Sequence, residues 1–169
     1  MVMAGRLRRC WAHLASDARS VRRVFDDALL MRIEEAIARS ERAHSAEVRV
    51  AIEAALPLRQ VWRGRSPRER ALEVFGGLGV WDTAANNGVL LYLLWADHAV
   101  EIVADRAAAA AIAQARWREV CDSLAAACRA GDFAAGTIAA IERIDELLIE
   151  AFPRADGYTN ELPNRPAIL

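Results

Sequence analysis

Five oxygen-bearing side chains flank the apolar segments of this chain and could bind a metal ion together. Asp82, Asn86 and Asn87 precede the second of three apolar segments, Asp105 follows the third, and Glu47 opens the first. If the first two segments run parallel and the third returns as a hairpin, all five residues lie at one end of a sheet. Ca²⁺ takes about six to eight oxygen ligands, and Mg²⁺ also prefers oxygen. The sequence therefore predicts a Ca²⁺ or Mg²⁺ site formed by these five residues.

Each of these residues also has an ordinary structural interpretation. The Asn-Asn-Gly sequence is typical of a turn, because Asn and Gly tolerate positive φ. Asp105 could cap the helix that follows it, and Asp82 could cap a short turn or pair with Arg106. Glu47 could be a solvated residue at a strand end. Arg106 beside a helix N-terminus also indicates a phosphate or anion site, since both features attract negative charge.

A small mixed sheet is the element that must position these residues. Continuous and alternating apolar runs predict its strands, and a crossover long enough for a helix makes the first two strands parallel. The third strand returns antiparallel to the second through a turn centred on Asp97 and His98, with residue 96 opposite residue 99. The three predicted strands are 47–53, 88–95 and 99–104.

Helices are predicted around this sheet. Ser66, Pro67 and Glu69 are typical of a helix start, because they supply a serine cap, a proline in the first turn and a capping-box glutamate. The helical segments are 19–43, one from 66, one from 107, 116–129 and 133–151, with a loop over 58–65. The predicted fold class is therefore α/β, a three-layer α/β/α sandwich with a small mixed sheet flanked by helices.

Charge is distributed unevenly along the chain. The net charge is −1, which argues against a nucleic-acid binder, yet residues 1–23 carry six arginines against a single acid, a local charge of +5. This basic N-terminus, or the Arg-rich loop 59–65 with Trp62, could contact an acidic protein partner.

The predicted regions are a basic leader or helix over 1–24, a domain over 25–153 and an irregular tail over 154–169.

The sequence offers few residues for lysine-based, zinc or disulfide chemistry. The chain has no lysine, which removes Schiff-base chemistry and the P-loop lysine. Its three cysteines lack Cys-x-x-Cys spacing, so neither a zinc site nor a disulfide is predicted. No apolar run approaches the roughly 18 residues of a membrane span, and no signal peptide is recognised. The sequence predicts a cytoplasmic protein with no transmembrane segment and no organic cofactor.

Six motifs, taken in order, resemble the TPM domain family. This family includes thylakoid-lumen photosystem-repair proteins, a nematode receptor modulator and many uncharacterised bacterial proteins. The resemblance covers about residues 25–153 and implies a three-layer α/β/α sandwich, calcium at acidic loops in some members and a weak acid phosphatase activity claimed for plant members. One departure is Asp105-Arg106-Ala107, where the usual third residue is glycine. The motifs are AEVRVA (46–51), RALEVF (70–75), VWDT (80–83), NNGVL (86–90), VEIVADR (100–106) and GDF (131–133).

Two functions from different classes follow from these observations. The first is a non-enzymatic binding module that holds a divalent cation at the acidic sheet edge. The alternative is a weak phosphomonoester hydrolase of the acid phosphatase type, in which Asp82 or Asp105 acts as metal ligand or nucleophile and Arg106 steadies the phosphoryl oxygens. The resemblance supplies most of the support for the hydrolase.

Overall fold

The computed structural model describes residues 2–154 and 159–169, so residue 1 of the predicted leader and residues 155–158 of the predicted tail lie outside the described residues. The elements are α1 Val2–Ala15, α2 Ala18–Val24, α3 Asp27–Ser40, β1 Val48–Glu53, α4 Leu58–Trp62, α5 Pro67–Gly77, β2 Val89–Leu94, a 3₁₀ turn Trp95–Asp97, β3 Ala99–Ala104, α6 Arg106–Ala111, α7 Gln114–Arg129, α8 Phe133–Ala151 and β4 Ala167–Ile168.

The strands form one mixed sheet in the order β3-β2-β1-β4. β1 and β2 are parallel, with Val48 opposite Val89, and β3 is antiparallel to β2, with Ala104 also opposite Val89. The three predicted strands and their directions are therefore confirmed. β4, which pairs in parallel with β1, was not predicted.

Two helical layers enclose this sheet. Val48, Val50 and Ile52 of β1 belong to a core shared with α3, α7 and α8. On the opposite face, Ala51 and Tyr92 pack with buried residues of α4 and α5. The apolar run of β2 is buried on both sides, as expected for a central strand covered by two layers. This arrangement confirms the predicted three-layer α/β/α sandwich.

The helical pattern at 19–43 is interrupted in the structure. Asp17 caps α2 through the backbone N–H of Ser20, at 2.7 Å, and Asp26 caps α3 through that of Leu29, at 2.8 Å. Phe25 lies between the two helices and is buried in the core. The apolar spacing predicted one continuous helix over 19–43, but the two aspartate caps begin two separate helices. The predicted loop 58–65 likewise contains the short helix α4.

The β2–β3 turn is longer than the predicted two-residue turn. A 3₁₀ turn occupies Trp95–Asp97, and His98 follows in the left-handed region with φ 48°. Residue 99 therefore pairs with Leu94, and the predicted pairing of 96 with 99 is wrong. The strand ends remain aligned because both strands are six residues long.

The C-terminal segment returns to the sheet. Ala167 and Ile168 lie opposite Ala51 and Ile52 of β1, and the backbone N–H of Leu169 donates to the Ile52 carbonyl at 2.9 Å. The part of the predicted tail that the structure describes is therefore only partly irregular, because its last residues form the edge strand β4. Within the described residues, no helix has the length and apolar character needed to cross a membrane.

Candidate functional site

Three backbone segments meet where the central strands begin or end. Val89 donates its N–H to the Glu47 carbonyl and Asp105 donates its N–H to the Gly88 carbonyl, both at 2.8 Å. Gly88 is required by a close approach, because a Cβ there would lie 2.0 Å from the Val80 carbonyl oxygen. We call this region, formed by Glu47, residues 82–88 and residues 105–106, the strand-start edge.

Asp105, Arg106 and Asn86 form one cluster at the strand-start edge. Asp105 is 8% exposed, and its Oδ1 accepts the backbone N–H of Arg106 at 2.7 Å as the cap of α6. Its Oδ2 is buried without a hydrogen-bond partner among the described residues. The Arg106 guanidinium donates to Asn86 Oδ1, and the Asn86 carbonyl accepts the N–H of Ala107 at 2.9 Å.

Asp82 lies on the same loop but faces solvent. Its backbone N–H donates to the Gly79 carbonyl at 2.9 Å, closing a turn. Within the part of the chain that the structure describes, its carboxylate makes no hydrogen bond or ion pair, so neither the predicted pairing with Arg106 nor a capping bond is formed. The Asp82 side chain therefore remains available to solvent or a ligand.

Asn87 has a structural role in this loop. It is 1% exposed, and its side-chain NH₂ donates to the Ser45 carbonyl at 2.7 Å. Its backbone N–H donates to the hydroxyl of Thr83 at 3.2 Å. These bonds connect the loop to the segment before β1, so Asn87 holds the strand-start edge in shape. Thr83 and Ser45 bind Asn87, and nothing in the sequence beyond their polar character indicated this role.

Glu47 is buried, not solvated. Its exposure is 0%, and its carboxylate accepts the backbone N–H groups of Glu161 at 2.9 Å and Leu162 at 3.1 Å. The Glu161 carboxylate in turn accepts the backbone N–H of Ala84 at 3.1 Å. The returning tail therefore covers this side of the strand-start edge, because a buried carboxylate needs donors and the tail backbone provides them.

The described residues fit a metal ion only in part. Among residues 2–154 and 159–169, no three or more His, Cys, Asp or Glu side chains are placed to hold one ion together. Glu47 and Asn87 bind protein partners, whereas the Asp105 Oδ2 atom has no donor within the described part of the chain and Asp82 faces solvent. An ion at this edge would have Asp105 as its buried protein ligand and would retain several waters.

Glu41 forms a second buried acid beside Glu47. Burial, and then the nearby negative charge of Glu47, raise the pKa of Glu41 from about 4.5 to about 7. Its Oε1 accepts the backbone N–H of Val48 at 3.4 Å, and its carbonyl accepts a bond from Arg154. Two adjacent carboxylates in the interior disfavour double ionisation, so Glu41 retains its proton up to near neutral pH.

A Ser-His-Asp cluster was not recognised in the sequence. Ser40 Oγ lies 2.8 Å from His44 Nε2 and 2.9 Å from Asp145 Oδ1. The Nδ1 atom of His44 accepts the backbone N–H of Ala46 at 3.2 Å, so the ring proton is on Nε2. Burial lowers the pKa of His44. A neutral ring with a protonated Nε2 cannot take the serine proton, so the cluster connects α3 to α8 and does not form a nucleophile.

Another buried polar cluster lies beneath α5. Arg70 donates to both carboxylate oxygens of Glu53, at 2.8 and 3.0 Å, and the Tyr92 hydroxyl donates to the same carboxylate at 2.6 Å. Burial raises the pKa of the Tyr92 phenol. Both oxygens of the Glu53 carboxylate have donors, and the cluster joins β1, β2 and α5, so it stabilises the fold.

The described cysteines are free thiols, as the sequence predicts. Burial raises the pKa of the Cys121 thiol to about 11 and also raises the pKa of the Cys128 thiol. A raised pKa disfavours the thiolate, which is the reactive form and the metal-binding form.

The protein is an α/β/α sandwich, in which two helical layers enclose a mixed sheet. Polar residues lie at the edge where β1 and β2 begin. The chain belongs to the TPM domain family, whose model matches residues 21–147. The resemblance seen in the six motifs is thereby confirmed. No curated protein matches the chain.

A solved structure has the same fold. The BA42 protein of the psychrophilic bacterium Bizionia argentinensis, determined by NMR, superposes with a TM-score of 0.74 at 25% sequence identity. The match covers 84% of this chain and 93% of BA42. The similarity therefore extends over nearly all of that protein.

Proposed function

We propose that this protein is a non-enzymatic binding module that holds one Ca²⁺-type cation at the strand-start edge. Asp105 supplies the buried carboxylate oxygen, Asn86 and Asp82 supply oxygens from the adjoining loop, and water fills the remaining positions. An irregular site of this kind suits Ca²⁺, which accepts flexible geometry, better than Mg²⁺, which demands near-ideal octahedral geometry. With at most two carboxylates, the affinity should be modest.

The observation that carries this proposal is the Oδ2 atom of Asp105, which is buried without a hydrogen-bond partner in residues 2–154 and 159–169. A buried acceptor without a donor destabilises a protein by about 1–3 kcal/mol, and by more when it is charged. A cation bound against this oxygen would compensate that loss. The Arg106 side chain is 81% exposed and can leave Asn86 Oδ1 without disturbing the core.

Thermal unfolding with increasing CaCl₂ or MgCl₂ tests the proposal. A ligand at a hundred times its dissociation constant adds about 2.7 kcal/mol to the free energy of unfolding. We expect Ca²⁺ to raise Tm, and Asp105→Asn combined with Asp82→Asn to abolish that rise. Asn at position 105 keeps an oxygen for the Arg106 N–H, so the cap of α6 is retained.

Asp26→Asn is the matched control, because Asp26 also caps a helix through one carboxylate oxygen but lies away from this edge. It should leave the Ca²⁺-dependent rise unchanged. A wild-type Tm that does not respond to Ca²⁺, or an equal response in the Asp82/Asp105 variant, would exclude the cation site.

The second candidate is a weak phosphomonoester hydrolase, favoured by the exposed Arg106 guanidinium next to Asp105. In this role Arg106 would hold the phosphoryl oxygens. Hydrolysis of an aryl phosphate by protein prepared by two independent purifications is the test. Activity lost in both Arg106→Gln and Asp105→Asn would support it, and activity that survives Asp82→Asn with Asp105→Asn would assign the hydrolysis to another site or a contaminant.

A further inference from the structure

Helix α1 is held to the rest of the protein by its polar face. Arg9 donates to Asp97 at 2.7 Å, and His13 Nε2 lies 3.1 Å from the same carboxylate. The other ring nitrogen of His13 accepts the backbone N–H of Leu56 at 2.9 Å, and His13 is 3% exposed. These contacts fix which side of α1 faces solvent.

The side that faces solvent is apolar. Met3, Leu7, Trp11 and Leu14 are 69%, 48%, 69% and 60% exposed. Their spacing of four, four and three residues places them on one stripe of the helix. A helix that turns a half-buried arginine and a buried histidine inward while exposing tryptophan and methionine is the reverse of a normal surface helix. Contiguous exposed apolar surface of this kind marks an interaction site.

Helix α4 adds to this surface. It packs directly against α1, and it exposes Leu58 and Trp62, one turn apart, at 44% and 53%. We call the exposed apolar residues of the two helices, Met3, Leu7, Trp11, Leu14, Leu58 and Trp62, the α1–α4 face.

Unpaired arginines accompany the α1–α4 face. Arg6, Arg8, Arg59 and Arg63 are exposed, and none of them forms an ion pair within the described part of the chain. Residues 2–15 contain no acid. Two copies that met through this face would bring like charges together, which disfavours self-association.

We infer that the α1–α4 face docks onto an anionic lipid surface. Helices that lie in a membrane interface carry arginine or lysine on the polar side and tryptophan or leucine on the other. Each arginine near an anionic bilayer adds to the attraction, and the apolar stripe enters the headgroup region. The polar contacts of Arg9 and His13 keep the rest of the domain in water above the bilayer. This inference does not depend on the proposed cation site.

Co-sedimentation of the full chain with vesicles tests the inference. We expect binding to equimolar phosphatidylglycerol and phosphatidylcholine, and little binding to phosphatidylcholine alone. Leu7→Ser with Trp11→Ser should abolish binding. Arg6→Glu with Arg8→Glu should weaken it about twentyfold or more, because each arginine near the surface contributes about fivefold.

Matched controls separate an effect of the α1–α4 face from the effect of removing any exposed apolar residue or changing any surface charge. Leu72 and Trp81 are 50% and 53% exposed elsewhere, so Leu72→Ser with Trp81→Ser should bind as the wild type does. Arg118→Glu with Arg129→Glu on α7 makes the same change in net charge and should have a much smaller effect than the α1 pair. Circular dichroism confirms that each variant is folded.

Failure of the wild-type chain to bind the anionic vesicles would overturn the inference, as would equal losses in the control variants. A concentration-dependent dimer that is lost in the Leu7/Trp11 variant, without vesicle binding, would assign the face to a second copy and would also overturn it. Capture of an acidic protein in place of vesicles would do the same.

Discussion

At the scale of residues, β1 and the residue that precedes it carry a row of polar side chains into the interior. Glu47, Arg49 and Glu53 are all at most 9% exposed. Each has a partner: Glu47 binds two tail amides, Arg49 donates to the Pro163 carbonyl at 2.5 Å, and Glu53 binds Arg70. Buried charges are tolerated only when they are paired or hydrogen-bonded. The row therefore specifies which segments cover this face of the sheet.

The raised pKa of Glu41 predicts a pH dependence of stability. The folded state binds this proton more tightly than the unfolded state does, because the pKa is about 4.5 unfolded and about 7 folded. The stabilisation is thus fully present below pH 4.5 and is lost as pH rises to about 7, a change on the order of 3 kcal/mol. Urea unfolding across this range should show the decline.

Glu41→Gln should remove that decline, since glutamine has no proton to lose. The exposed Glu150→Gln on α8 is the control and should leave the slope unchanged. A Glu41→Gln variant whose stability declines between pH 4.5 and 7 as steeply as that of the wild type would contradict this assignment.

At the scale of elements, a carboxylate at the β2–β3 turn positions α1. Asp97 receives bonds from both Arg9 and His13 on the helix. Burial, the largest influence, raises the pKa of Asp97, but the bonds from Arg9 and His13 and the charge of Arg9 together hold it below its usual value of 3.8. The stabilisation by Asp97 is therefore present above pH 3.8 and is lost as pH falls through the lower folded pKa.

Asp97→Asn should release α1. Asparagine loses the charge-assisted bonds, which are about twice as strong as neutral ones, and we expect a loss of about 1–3 kcal/mol in the free energy of unfolding. Hydrogen exchange of the α1 amides should accelerate by a larger factor than exchange in β1 or β2. The exposed Asp122→Asn is the control, and uniform acceleration over all elements would show that Asp97 does not act on α1 in particular.

At the scale of the whole molecule, the C-terminal segment completes the sheet and one helical layer. Leu162 is 9% exposed in the core beneath α5, and β4 covers the edge of β1. The family match ends at residue 147, so this covering lies outside the matched segment. Without it, β1 would be an open edge strand bearing buried charge, which favours aggregation.

Glu47→Gln should loosen this segment. Glutamine offers one side-chain oxygen where the carboxylate offers two, so either the N–H of Glu161 loses this acceptor or the N–H of Leu162 keeps only Asn160 Oδ1. We expect a loss of about 1–3 kcal/mol in the free energy of unfolding and faster hydrogen exchange at Leu169, whose N–H donates to the Ile52 carbonyl. Glu101→Gln, at the opposite edge of the sheet, should not change exchange at this residue. Unchanged protection of Leu169 in Glu47→Gln would show that the tail is held independently of Glu47.

The sequence by itself determined the family, the three-layer fold, the three central strands and the approximate helices, because local periodicity and caps encode these features. It also brought Asp105 and Asn86 to one sheet end, since strand direction follows from connection length. Only the tertiary structure decided which polar residues are buried. Alternation along β1 is the same whether its polar face meets water or protein, and the donors to Glu47 lie 114 and 115 residues away. Likewise, the exposure of the apolar stripe on α1 depends on the distant carboxylate of Asp97, which holds the opposite side of the helix.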